Sequence, residues 1–221
     1  MRTLFALTLA SLLLLPSAQA QVAFGLKAGL NTASISFDED TEDAFEVLGL
    51  DRQARLGFVG GAFLELPVGS SSFVVRPEVL YAQKGVRFVP EDDEDEGDLT
   101  VRTDYVEVPV LGLYRIPLTQ TGLELGILAG PYGAFKVSES TRTEFDLGGE
   151  TEGEVEETDN LISTDIGAAV GATIGAGAFA VDLRYGMSLI NNADEESPDT
   201  PPGAEARHRV FSVTAAYTFG R

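Results

Sequence analysis

The chain has 221 residues, with 35 Asp and Glu against 15 Lys and Arg, a formal net charge of −20, 44% hydrophobic residues and no cysteine. The missing cysteine excludes a disulfide framework, a thiolate metal site and a cysteine nucleophile. The acidity argues against nucleic acid or anionic lipid as the main partner, because phosphates are repelled.

The N-terminus reads as a targeting segment. Arg2 precedes an apolar run over residues 4–15, followed by Pro16 and the small-x-small site Ala18-Gln19-Ala20. This is a basic, then apolar, then cleavable pattern, and the run is too short to span about 30 Å of hydrocarbon. Cleavage after Ala20 leaves residues 21–221 as a single exported domain.

From there, apolar runs of period two alternate with acidic stretches. In residues 22–31, Val22, Phe24, Leu26, Ala28 and Leu30 share one face, as in a half-buried strand. An acidic stretch follows at 38–51. Strands are expected at 56–66 and 73–88, joined by a short connection at 67–72. The next acidic stretch, 91–98, leads to strands at 104–116 and 123–136, joined through 117–122. A third acidic stretch, 139–159, precedes strands at 165–174 and 179–189, joined through 175–177. The fourth, 194–205, leads to a last strand at 209–219. These four stretches hold most of the acidic residues.

Two details count against this reading. Pro77 and Pro109 are unusual in central strands, yet the alternation continues through both. Gly167, Gly171 and Gly175 have the G-x-x-x-G spacing of packed transmembrane helices. That apolar run is short for a helical span and is interrupted by Gly175-Ala176-Gly177, a turn signal.

Eight strands need seven connections, and in an up-and-down meander the odd ones share one end. Here the odd connections are long and acidic and the even ones are short. That asymmetry, with strands of about ten residues, fits an eight-stranded antiparallel up-and-down transmembrane β-barrel with short periplasmic turns and long extracellular loops. Its outward set includes Val75, Val79, Tyr81, Val106, Val108, Val110, Tyr114, Leu123, Leu125, Ile127 and Phe135. The inward set carries Lys27, Arg76, Lys84, Arg115, Lys136 and Arg184, balanced by Glu65, Glu78, Glu107, Glu124, Asp165 and Asp182. An eight-stranded barrel is just wide enough for side chains to fill, so these charges must pair inside a zipped polar core. A lipocalin-like soluble barrel would instead turn the apolar faces inward.

The blocks Phe24-Gly25-Leu26-Lys27-Ala28-Gly29-Leu30-Asn31, Arg76-Pro77-Glu78-Val79-Leu80-Tyr81-Ala82-Gln83-Lys84-Gly85 and Asp104-Tyr105-Val106-Glu107-Val108-Pro109-Val110 resemble strands of the PorT-like bacterial outer-membrane β-barrel family. Leu183-Arg184-Tyr185-Gly186-Met187 and the strand from Phe211 to Phe219 are also similar. Both prolines fall within these blocks. The resemblance implies a small barrel in the outer membrane; some members are linked to protein secretion, and no defined activity is implied. The acidic loops lie outside the shared pattern. Many such barrels finish on an aromatic residue, whereas Gly220 and Arg221 follow Phe219 here.

No hydrolase, zinc or phosphate-loop motif is present. His208, the one histidine, is the sole candidate base for a lipid-modifying site, with Ser188 and Asp182 as possible partners; a lone rim histidine is more often structural. Asp92, Asp93, Glu94, Asp95 and Glu96 brush the calcium-loop pattern, but Thr103 stands where the bidentate carboxylate is required. Loose divalent-cation binding by those carboxylates is an expectation, beside solvated, self-repelling loops.

The expected protein is a non-enzymatic, cofactor-free, monomeric outer-membrane barrel with both termini in the periplasm. Its partners are membrane lipid and the insertion machinery, the latter through the C-terminal strand. A secretion accessory, a narrow channel, a lipid-modifying enzyme and a lipocalin-like carrier are the alternatives.

Overall fold

The computed structural model describes residues 22–37, 50–69, 72–90, 97–118, 121–146, 151–157, 161–193 and 205–220. The leader, residues 1–20, and the carboxylates Asp92, Asp93, Glu94, Asp95 and Glu96 lie outside the described residues. Nine strands follow in order: β1 (Ala23–Phe37), β2 (Leu50–Pro67), β3 (Phe73–Pro90), β4 (Gly97–Leu118), β5 (Leu123–Asp146), β6 (Thr151–Glu157), β7 (Thr164–Ala176), β8 (Phe179–Ser188) and β9 (Ala206–Phe219).

Eight of them close into an antiparallel ring, in the order β4-β3-β2-β1-β9-β8-β7-β5 with β5 returning to β4. Within this ring each strand is paired on both sides, the condition for a sheet to stand in lipid. The ninth strand corrects the sequence reading. The third acidic stretch is not one continuous loop: β5 runs on to Asp146, and β6 returns along it from Asp146↔Thr151 to Ser140↔Glu157. Thr141, Thr143 and Phe145 continue the strand-favouring alternation there, and carboxylates facing water do not oppose pairing. As a result β4 and β5, at 22 and 24 residues, are far longer than β8 at 10. One wall therefore extends well beyond the other at the long-loop end.

Both prolines sit within strands. Pro77 opposes Val110, and Pro109 opposes Tyr132. The β3–β4 ladder skips between Pro77 and Leu80, the local cost of a missing N–H donor. The G-x-x-x-G run forms the hairpin of β7 and β8, turning at Gly177-Ala178. Gly177 has φ +58°, as the first central position of a two-residue hairpin turn requires.

The barrel is inverted relative to a soluble one. Large apolar side chains point outward, including Phe24, Leu30, Val79, Ile127, Val170 and Leu183, all at least two-fifths exposed. This overturns the lipocalin-like alternative, whose apolar residues would line the inside. Near the short-turn end an aromatic girdle forms. Phe24 stacks on Phe219 with centroids 5.6 Å apart, and Tyr217 meets Phe179 at 5.0 Å and Phe219 at 4.8 Å. Such girdles mark the membrane interface in these barrels.

Inside, Gly25 opposes Phe63, and a Cβ at Gly25 would collide with the Phe63 ring. The Gly25→Val variant is expected to lose about 1–3 kcal/mol, the usual cost of overpacking, measured as a shift in the urea unfolding midpoint in vesicles.

Candidate functional site

Alternation sends every second residue of the ring inward, and the inward charges form a continuous chain across the barrel. At the short-turn end, Glu124 Oε1 lies 3.1 Å from Arg115 Nε, and Arg115 also binds Glu65. Glu65 Oε1 accepts from Arg76 Nη2 at 2.7 Å, and Arg76 Nη1 reaches Asp182 Oδ2 at 3.1 Å. Lys27 Nζ bridges Asp182 at 2.7 Å and Glu78 at 3.3 Å. Glu78 ends the chain with a two-pronged bond to Arg184, both N–O distances 2.9 Å. Four carboxylates thus alternate with four cations contributed by β1, β2, β3, β4, β5 and β8. The forked arginine–carboxylate geometry is the strongest form such a bond takes.

A second cluster lies nearer the long loops. Lys84, 1% exposed, binds Glu107 at 2.6 Å and Asp165 at 3.2 Å. Its ammonium also lies 4.8 Å from the Tyr105 ring centroid and 5.0 Å from that of Tyr132, a cation–π arrangement. Tyr132 Oη donates to Asp165 at 3.1 Å, and Asn192 Nδ2 donates to its other oxygen at 3.3 Å. Higher still, Lys136 binds Glu139 at 2.8 Å. Glu139 also accepts from the backbone N–H of Leu161 at 3.3 Å, and Lys136 donates to the Leu161 carbonyl.

All twelve interior charges named from the sequence face the lumen in these clusters, and Glu139 joins them. Its position was assigned to an acidic loop, and a parity change explains why. A β-bulge in the β4–β5 ladder pairs Asp104 with Ser138 and Tyr105 with Lys136, so residue 139, not 138, turns inward. Tyr105, Tyr132 and Asn192 are further polar members of the interior that alternation alone did not single out.

Above the charged clusters, apolar side chains close the barrel. Ile35, Val86, Phe88, Leu161, Ala193 and Ala206 pack together, with Leu99 and Val101 against them. Leu161 and Ala193, from the segments before β7 and after β8, form an isolated antiparallel bridge beyond the β7–β8 ladder. Between the charged clusters a cavity of about 30 Å³ is lined by Asn31, Lys84, Glu107, Arg184 and Ser212, among others. That is room for about two waters.

His208 lies beneath this lid, 1% exposed, with its Nε2 3.3 Å from the Tyr105 hydroxyl. It is not a rim residue. Ser188 Oγ accepts the backbone N–H of His208 at 3.2 Å, and Asp182 belongs to the lower chain with Lys27 and Arg76. The three residues do not assemble as a nucleophile, base and orienting acid.

A family model described as "Outer membrane protein beta-barrel domain" matches residues 17–194. The chain belongs to this family. The bacterial outer membrane is accordingly where this barrel resides. No curated protein sequence matches the barrel. Among solved structures, similarity extends to Ail, the attachment invasion locus protein of Yersinia pestis, solved with the heparin analogue sucrose octasulfate. The identity is 14%, covering 90% of this chain and 99% of that one, with TM-score 0.45. Neisserial surface protein A is similar at 15% identity, 90% and 99% coverage and TM-score 0.43. OprG from Pseudomonas aeruginosa is similar at 13% identity, 91% and 98% coverage and TM-score 0.40.

In an outer-membrane barrel, removing one partner from a buried pair leaves a charge without compensation. Asp182→Asn is therefore expected to cost about 3–5 kcal/mol, read by urea unfolding in vesicles. Arg207→Gln, which breaks the exposed 3.0 Å pair with Glu205, is expected to change stability by less than about 1 kcal/mol.

Proposed function

We propose that this outer-membrane barrel is a non-enzymatic protein of structural or interaction type, which anchors long acidic loops on the outer face of the cell. The observation that carries this reading is the filled lumen: ion pairs occupy its length and apolar side chains cap the long-loop end. Among the described residues, the interior side chains are paired with one another or packed in the apolar cluster above them, which argues against the narrow channel. The burial of His208 argues against a lipid-modifying site there.

The orientation follows from the loop asymmetry. Short turns and both termini lie on the periplasmic side, and the acidic stretches face the medium. Export uses residues 1–20 as a cleaved leader. The chain is a monomer surrounded by lipid, and β9, ending at Phe219, is the strand offered to the insertion machinery. Carboxylates 92–96 hold divalent cations loosely, as any dense acidic loop does.

Purified barrel in planar bilayers is expected to give no ohmic steps; stable conductance would return the channel reading. Protease added to intact cells is expected to cut within residues 147–160 and to spare the turn at Gly177-Ala178. Cutting at that turn with the acidic stretch spared would reverse the orientation.

A second reading, a secretion accessory, is favoured by the PorT-like blocks around Arg76-Pro77-Glu78 and Asp104-Tyr105-Val106-Glu107. A deletion strain separates the two. Loss of secreted proteins from the medium with an intact envelope supports the accessory, and unchanged secretion removes it.

A further inference from the structure

The chain's three lysines, Lys27, Lys84 and Lys136, all point into the barrel. The cations described on its outer wall are therefore arginines, and four of them converge. The ladder sets Gln53, Arg87, Thr100, Arg142 and Val155 in one row across β2, β3, β4, β5 and β6. The next row toward the membrane holds Gly85, Arg102 and Ser140. Arg55 comes from the bulged stretch of β2, with its Nη1 3.4 Å from the Lys84 carbonyl.

Gly85 is the gap between Arg55 and Arg102. Its φ is +142°, and a Cβ there would collide with the Val101 carbonyl, so this position carries no side chain. The result is a cleft of about 600 Å³ lined by Arg55, Arg87, Arg102, Arg142, Thr100 and Ser140, together with Gln53, Ala54, Leu56 and Val155. That volume is in the range of ligand pockets. Among the described residues, no carboxylate lines it. Arg87 is held from outside the lining by Asp98, and Arg102 by Asp104 at 2.7 Å. These pairs fix two of the guanidinium groups beside the cleft.

Its height on the barrel indicates what it meets. From Phe73 to Arg87 the strand climbs about 35 Å, at about 3.3 Å per residue and a tilt of about 40°. The apolar band of such barrels is about 25 Å tall. The cleft therefore opens sideways in the headgroup layer, directly above outward-facing Leu56, Phe58 and Val79. Arginine forks match phosphate oxygens in pairs, and the hydroxyls of Thr100 and Ser140 add donors. We propose that this cleft binds the phosphate-bearing headgroup of an outer-leaflet lipid, whose acyl chains descend along that apolar wall. The overall charge repels phosphates, but at a Debye length of about 8 Å the local guanidinium groups decide the contact.

The test uses the mature barrel in detergent, with diphosphorylated lipid A, the same lipid dephosphorylated, and inorganic phosphate as probes, read by native mass spectrometry. The barrel is expected to bind the diphosphorylated lipid at least about tenfold more tightly than the dephosphorylated one. Arg55→Gln/Arg87→Gln/Arg142→Gln is expected to lose about tenfold or more of that affinity. Arg207→Gln/Arg209→Gln, on β9, is expected to stay within about threefold. Heat-modifiable migration checks folding, and should the triple variant not fold, the single Arg55→Gln variant is expected to lose about threefold. Equal binding of both lipids, an equal loss in the β9 variant, or displacement of the lipid by millimolar inorganic phosphate would overturn the proposal.

Discussion

A charge on the inner wall of a closed barrel in lipid must find its partner on that wall. Water has little room inside, and a carboxylate or ammonium left alone there costs several kcal/mol. The alternation of Lys27, Arg76, Asp182, Glu78 and Arg184 with opposite neighbours meets this condition across strands that are far apart in sequence. Lys27 on β1 meets Asp182 on β8 and Glu78 on β3, so the contacts are satisfied only when the ring has closed in the right register. A slip of one residue would turn each of these charges toward lipid. Pairing thus selects the register as well as filling the lumen.

The same interior limits what the molecule does. Among the described residues, the interior charges are committed to one another, and Ile35, Val86, Phe88 and Leu161 pack together above them. The outer wall carries a charge pattern of its own. On the outer wall, Arg55, Arg87, Arg102 and Arg142 of β2–β5 gather around one cleft. In the proposed orientation that cleft stands at the level of the lipid phosphates. A formal charge of −20 therefore does not reveal this local gathering of arginines.

Much of this was legible in the residues because a strand's period is two. Val22 to Leu30 and Arg209 to Phe219 showed their lipid faces directly, and the twelve interior charges followed from parity. Legibility failed where parity changes. The bulge opposite Ser138 and Lys136 turned Glu139 inward, and the bulge after Ala54 set Arg55 beside Gly85. It failed again where acidic composition concealed pairing, since β6 is strand despite its glutamates. His208 looked like a rim residue because it stands next to an acidic stretch, yet it is buried against Tyr105 of the facing wall. Tyr81 lies on the outer face as expected. Its hydroxyl donates to Asp104 at 2.7 Å, an outer-wall contact that an apolar reading of that face misses.

The central claim is that interior pairing across the ring organises the barrel. A double-mutant cycle on Glu78 and Arg184, using Glu78→Gln and Arg184→Gln and urea unfolding in vesicles, tests it most directly. The two-pronged bond and its position in the chain lead to a coupling energy of about 2 kcal/mol or more. Additive effects, with a coupling below about 0.5 kcal/mol, would contradict it.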